Sequence, residues 1–294
     1  MAMHEQIIDL VDGRKLEVAT MGDPSGHTVL FHHGTPGSYQ TLRLFEPLLE
    51  RGNYFLVTTS RAGYGASTRR EGRSVASVVD DARAALGHFR RDAYAVVGWS
   101  GGGPHALACA ALDAPRCRRA VSVASVAPQD ADFDWTEGMG PENLEEFALA
   151  KKGGAPYEEY MAAAGAVMAE VTTDNVIELM GGLLPDVDKE VLANDAFRAL
   201  VADSTSYGFK KGWRGYYDDN RAFLLPWGFD VEAIEIPVAL FYGEADLSVP
   251  PLHGAWLSRH LRRASRHHLD GEGHFSIFAR HFDELATELA AAFT

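Results

Sequence analysis

"VVGWSGGGPHALACAAL", residues Val96–Leu112, is an apolar run that breaks on glycine, shows a single serine, and resumes in small and apolar residues. A strand ending at Trp99 and a helix starting near Gly101 leave Ser100 on the sharp turn between them. Glycines at 98, 101 and 102 remove the side chains that such a turn would crush. The Ser100 hydroxyl is thereby expected to project from the upper edge of a sheet. The amide of Gly101, an unsatisfied donor at a helix N-terminus, stands next to it with a partial positive charge suited to an oxyanion. The pentapeptide Gly98-Trp99-Ser100-Gly101-Gly102 fits the G-x-S-x-G turn that exposes a nucleophile; its bland reading is a serine N-cap on an ordinary strand-to-helix crossover.

Outward from this turn, short apolar runs alternate with amphipathic stretches. "EQIIDLV" and "KLEVATM" read as a hairpin closed at Asp12-Gly13, and "HTVLFHH" and "YFLVTT" as buried strands separated by a helix over residues 39–51. "SVASVVDDARAALGHF" reads as a helix leading to strand "YAVVGW", and the helix after Ser100 leads to strand "RAVSVAS". Towards the end, "PVALFY", "HGAWLSRHL", "SRHHL" and "SIFARHFDELATELAAAF" continue the order. Strands and helices taking turns imply an α/β fold, a mostly parallel sheet with helices on both faces. Residues 129–229 break the pattern with helical stretches and no strand, so they are expected to form an inserted helical lid, with 1–128 and 230–294 as the core.

A serine hydroxyl needs a base to attack a carbonyl at neutral pH. "PVALFYGEADLSVP" places Asp246 in the loop after a strong strand, with Glu244 and Asp270 as rival acids, and "HHLDGEGHFSIF" places His274 in a glycine-rich loop after the last strand. The chain order is then serine, acid, histidine. In "FHHGTPGS", Gly34 permits a tight turn and Pro36 has no amide, which leaves the Thr35 amide as the second oxyanion donor. Gly34 and Trp99, beside these groups, are expected to contact substrate. The adjacent His32 and His33 do not read as a metal site, because successive strand residues face opposite sides and no further ligand is spaced near them. His33 is expected to brace the loop by hydrogen bonds. No metal and no cofactor are expected.

Composition narrows the partners. With 294 residues, 46% of them hydrophobic, the chain can bury a large core. Its 27 basic residues against 41 acidic ones give a net charge of −14, which repels phosphate backbones and anionic lipid. A small-molecule substrate is therefore expected, with no nucleic acid and no membrane. The opening "MAMHEQIIDLVDGRK" lacks the apolar core of a signal peptide, and Cys109 and Cys117 lack metal or redox spacing, so reduced thiols and a cytoplasmic location are expected. Residues 129–229 hold most of the negative charge, expected to lie mainly on a solvated helix surface that disfavours anionic substrates.

Five segments, "HHGTPGS", "SRAGYGAS", "GWSGGG", "GEADLSVP" and "GEGH", occur in an order that resembles the α/β-hydrolases along nearly the whole chain. The resemblance implies an eight-stranded sheet with a cap after the sixth strand, a Ser100-Asp246-His274 triad, and an oxyanion hole from the Thr35 and Gly101 amides. Serine as nucleophile separates the chain from the dehalogenases and epoxide hydrolases of that superfamily, which use a carboxylate. The motifs are most similar to the proline iminopeptidase-like and esterase-like members. Thr35 stands where those peptidases commonly have glycine, and Trp99 precedes rather than follows the serine. The implied function is hydrolysis of a small neutral carboxylic ester; the alternatives are an aminopeptidase, a cofactor-free perhydrolase and a slow-turnover ligand receptor. Nine aromatics of the lid, Trp135, Tyr157, Tyr160, Tyr207, Trp213, Tyr216, Tyr217, Phe223 and Trp227, are expected to pack mostly against the core, with a few facing the pocket.

Overall fold

A computed structural model describes residues 2–294. Two strands, β1 (His4–Asp9) and β2 (Lys15–Gly22), pair antiparallel across the turn at Asp12-Gly13. Then follow β3 (His27–His32), a 3-10 helix Tyr39–Phe45 running into α1 (Glu46–Leu49), and β4 (Tyr54–Ser60), which pairs antiparallel with β2 and parallel with β3. The next units are α2 (Val78–His88), β5 (Tyr94–Trp99), α3 (Gly103–Leu112) and β6 (Cys117–Val123). Between β6 and β7 (Val238–Gly243) the chain forms only helices: α4 (Pro141–Lys152), α5 (Gly154–Ala169), α6 (Val176–Met180), α7 (Asp186–Leu192), α8 (Asp195–Gly208) and α9 (Arg214–Leu224), plus short 3-10 turns. The core closes with α10 (Pro251–His260), β8 (Ala264–Leu269), α11 (Ser276–Arg280) and α12 (Phe282–Ala290). The eight strands lie in the order β1-β2-β4-β3-β5-β6-β7-β8, parallel from β4 onwards.

Side-chain alternation along the strands divides the core into two halves. Leu30, Val57, Val96, Ala120 and Leu240 pack on one face of the sheet with residues of α2 and α3. Their strand neighbours Val29, Phe31, Leu56, Ala95, Val97, Val121, Ala239 and Phe241 pack on the other face with Phe45, Leu48, Leu285 and Leu289. Central strands buried on both faces read as unbroken apolar runs, which is why β5 and β7 stood out in the sequence.

Several helical expectations are modified. The stretch 39–51 is mostly 3-10 helix, Tyr39–Phe45, followed by the four-residue α1, and α2 is preceded by a 3-10 turn, Val75–Ser77. The helix after Ser100 opens with a 3-10 turn, Ser100–Gly102, before α3. The C-terminal helix is two helices divided at His281. Among the described residues no helix is long and apolar enough to cross a membrane.

The strand order reverses between β3 and β5, since the chain leaves β3 for β4 on one side and returns to β5 on the other. In open α/β sheets a ligand crevice forms beyond the strand C-termini at such a switch point. The loops leaving β3 and β5 are those of Gly34-Thr35 and Ser100.

Candidate active site

Ser100 has φ = +56°, a left-handed backbone that a non-glycine residue adopts at a cost. The turn is tight enough that a Cβ at Gly98 would lie 2.1 Å from the Gly102 carbonyl oxygen, and one at Gly101 would lie 2.2 Å from Thr35 Oγ1. Gly98 is thus required by the tightness of its own turn and Gly101 by the close approach of the Thr35 loop. Neither the Thr35 nor the Gly101 amide finds a hydrogen-bond acceptor among the described residues. Both residues line, with Gly34, Trp99, Ser100 and His274, a cavity of about 290 Å³.

Of the three candidate acids, Asp246 meets the histidine: its Oδ2 accepts the Nδ1–H of His274 at 2.7 Å. The backbone amides of Ser248 and Val249 donate to its Oδ1 at 2.8 Å each, which fixes the carboxylate. Glu244 and Asp270 are exposed. Burial of His274 opposes its charge, but the Asp246 carboxylate and its hydrogen bond, with the charge of Asp188 behind them, raise its pKa above 6.5. Trp99 donates from Nε1 to the His274 carbonyl at 3.2 Å, and its ring packs edge-on against Phe275 and Phe278. It therefore braces the histidine loop as well as lining the cavity.

The loop after β3 is held from below. His33 is fully buried and neutral, since burial and then the nearby Arg61 charge push its pKa well below 6.5. Its Nδ1–H donates to the Gly34 carbonyl at 2.7 Å, and its Nε2 accepts from the Arg61 amide at 3.1 Å. The Arg61 guanidinium donates to the carbonyls of His33 and Gly34 and, at 2.7 Å, to Thr35 Oγ1. His32 instead faces Cys109 at 3.5 Å. Among the described residues no three His, Cys, Asp or Glu side chains are grouped to hold a metal ion.

The family model of the alpha/beta hydrolase fold matches residues 27–280. The chain belongs to the α/β-hydrolase family. A non-heme haloperoxidase from Rhodococcus erythropolis is 26% identical over 237 residues, 79% of each chain. A bromoperoxidase from Bacillus anthracis superposes with a TM-score of 0.69 at 18% identity, covering 98% of this hydrolase and 99% of that chain. An esterase from Rhodococcus sp. ECU1013 gives a TM-score of 0.67 at 19% identity, covering 99% of this hydrolase and 100% of the esterase.

Sequence reasoning missed four residues of this hydrolase's site. Asp219 of α9 is completely buried, and its Oδ2 accepts from Arg61 Nη2 at 2.7 Å, Thr35 Oγ1 at 2.8 Å and Tyr64 OH at 2.9 Å. Its Oδ1 accepts from Arg73 at 2.5 Å and His105 at 3.4 Å. Burial favours its neutral form, but the two guanidiniums overcome that and hold it well below the usual carboxylate range. Arg61 stands in the quoted "SRAGYGAS", yet nothing in the sequence marks its partner. The other two are Asp188 of α7 and Glu146 of α4, both buried.

Glu146 lines the cavity and has no cationic partner among the described residues. Its oxygens accept from Tyr216 OH and Asn220 Nδ2, each at 2.5 Å. Burial pushes its pKa up to about 7, against the lowering by these two donors. Most acids of residues 129–229 do lie on the solvated surface, but Glu146, Asp188, Asp218 and Asp219 lie inside. Of the nine aromatics considered, Tyr160, Tyr216 and Phe223 line the cavity.

Proposed function

We propose that this hydrolase cleaves a small neutral carboxylic ester through an acyl-enzyme on Ser100. The observation that carries the reading is the joint placement of a strained Ser100, two unpartnered amides and the Asp246-bound imidazole of His274 around one cavity. His274 takes the Ser100 proton as Oγ bonds to the carbonyl carbon, and the oxyanion accepts from the Thr35 and Gly101 amides. Collapse breaks the ester C–O bond, and the leaving alkoxide takes the proton from His274. Water then attacks the acyl carbon, gives its proton to His274, and the acid leaves as Oγ is reprotonated. Asp246 holds the imidazole in the tautomer with Nε2 free to accept. The apolar lining, including Phe147, Met168, Val171, Val176, Leu179 and Val201, suits acyl or alkyl groups of moderate size.

The experiment is a panel of p-nitrophenyl and alkyl esters together with an organophosphonate that labels serine nucleophiles. Steady turnover of short acyl esters and adduct formation on Ser100 are expected. Labelling elsewhere refutes the reading, and labelling with negligible turnover favours a ligand receptor. The Rhodococcus relative's name supports one variant of the same chemistry, in which hydrogen peroxide attacks the acyl carbon in place of water, the bond to Oγ breaks, and the acyl group leaves as a peracid while Oγ is reprotonated. Peracid formation on adding peroxide to the ester assay scores it.

Glu146 favours a second reading. A buried acid without a cation in a substrate cavity leaves lone pairs for a donor supplied by the ligand. An amine-bearing ester or an amino-terminal amide would supply it. Matched neutral and amine-bearing substrates decide: on the second reading kcat/KM for the amine rises with pH through about 7 as Glu146 ionises, and Glu146→Gln abolishes that preference.

A further inference from the structure

The histidine loop is gripped from the helical segment as well as from the sheet. Asp188, in the first turn of α7, is fully buried, and its Oδ2 accepts the His274 amide at 2.7 Å. Its Oδ1 accepts the amides of Phe275 and Ser276 at 2.9 Å each. Three successive amides turned onto one carboxylate leave the backbone under His274 little freedom. The approach also accounts for a glycine of the "GEGH" segment, since a Cβ at Gly273 would lie 2.5 Å from Asp188 Oδ2.

Asp188 pairs with no cation among the described residues, although a buried carboxylate normally has one. The loop amides satisfy its lone pairs but leave its charge uncompensated. Its bonds go to the loop backbone, while the imidazole itself is bound by Asp246. The positive charge that would complement Asp188 appears when His274 takes a proton. Two anions then face the imidazolium, one bonded to the ring and one fixed beneath its backbone.

We infer that Asp188 is a positioning residue for the Ser100 chemistry, the carboxylate through which the helical segment holds the His274 loop and favours the imidazolium. The inference rests on the assignment of Ser100 and His274 proposed above. A role confined to fastening α7 onto the core would stabilise the protein without touching the titration of His274. The charged groups facing His274 are Asp246 and Asp188. Glu272, two residues before it, turns towards Arg280 at 3.6 Å and His281 at 3.5 Å. The cavity acids from α4 are engaged elsewhere, Glu146 by Tyr216 and Asn220 and Glu142 by the Gly182 amide.

The test compares the full-length protein with Asp188→Asn on p-nitrophenyl butyrate across pH, with organophosphonate labelling in parallel. The expected result is a kcat at least tenfold lower, a KM within twofold, and an acid limb of kcat/KM displaced to lower pH, because one anion near the imidazolium is gone. A folded Asp188→Asn with the kcat and acid limb of the wild type overturns the inference. Should that variant fail to fold, Gly273→Ala presses a methyl group into the carboxylate from the loop side. Lower kcat at unchanged KM supports the inference there, and wild-type kcat overturns it. Wild-type protein that neither labels on Ser100 nor turns over removes the underlying assignment; wild-type labelling beside an unaffected Asp188→Asn removes only the role of Asp188.

Discussion

Replacing Asp219 by asparagine keeps the volume of the side chain and removes its charge from between two guanidiniums. Arg61 and Arg73 have side chains 1% and 5% exposed, so water cannot take over the lost interaction. Removing one partner of a buried pair costs about 3–5 kcal/mol, and here two cations are stranded together, which places the loss towards the upper figure. For a chain of this size roughly 2 °C of melting temperature accompanies each kcal/mol, so a fall of about 6–10 °C is expected. The adjacent Asp218 is the control. It is buried, but its partner Arg69 is 23% exposed, and Asp218→Asn is expected to cost no more than about 1 kcal/mol, or about 2 °C. Because Asp219 also accepts from Thr35 and from the Arg61 that holds the Gly34 carbonyl, Asp219→Asn should reduce ester turnover at a temperature where it remains folded. Thermal unfolding by circular dichroism and p-nitrophenyl ester kinetics read both effects. An Asp219→Asn melting temperature no lower than that of Asp218→Asn would refute the account of the buried cluster.

Ser100→Ala is expected to lower ester turnover by several orders of magnitude and to abolish phosphonate labelling, scored by intact-protein mass spectrometry; a fully active variant contradicts the assignment. Asp246→Asn should leave the protein folded while cutting kcat by about 10³ to 10⁴, whereas Asp270→Asn should have little effect, and reversed results in the same kinetic assay would move the acid to Asp270. The acid limb for a neutral ester should reflect a His274 pKa above 6.5, since the two anions outweigh burial. Activity is present when the imidazole is neutral and is lost as pH falls through that raised value. An inflection at or below the ordinary histidine value in the pH profile of kcat/KM contradicts this.

The parts of this site legible in the sequence are those that depend on backbone geometry. Gly98 and Ser100 carry the demands of one tight turn between a strand and a helix, and a local pattern records them. Asp246 and His274 stand out as candidates because β7 is a contiguous apolar run and the loops after β7 and β8 must rise at the same edge of the sheet. The strand order, with β4 slipped between β2 and β3, was not read from residue patterns, because parallel pairing is set by contacts between distant segments. Asp188 and Asp219 were invisible for a related reason. Each sits in a helix among other acids, and the groups that pair with them lie 86 and 158 residues away along the chain.

The same distance effect alters what the charge of the helical segment means. Counted along residues 129–229, its acids suggest a field that repels anionic substrates. Asp219 faces Arg61 and Arg73, which belong to the core, so its charge is compensated where it lies. Asp218 likewise faces Arg69. Acids left on the outer surface act through water and are screened within about 10 Å at ordinary salt. Glu146 differs from both groups, because it is buried, lines the cavity and has no cation. Discrimination by substrate charge therefore falls to the acids lining the cavity, and chiefly to Glu146, since Glu142 is only half-buried and engages the Gly182 amide. It should depend weakly on salt and strongly on pH near 7, where Glu146 exchanges its proton.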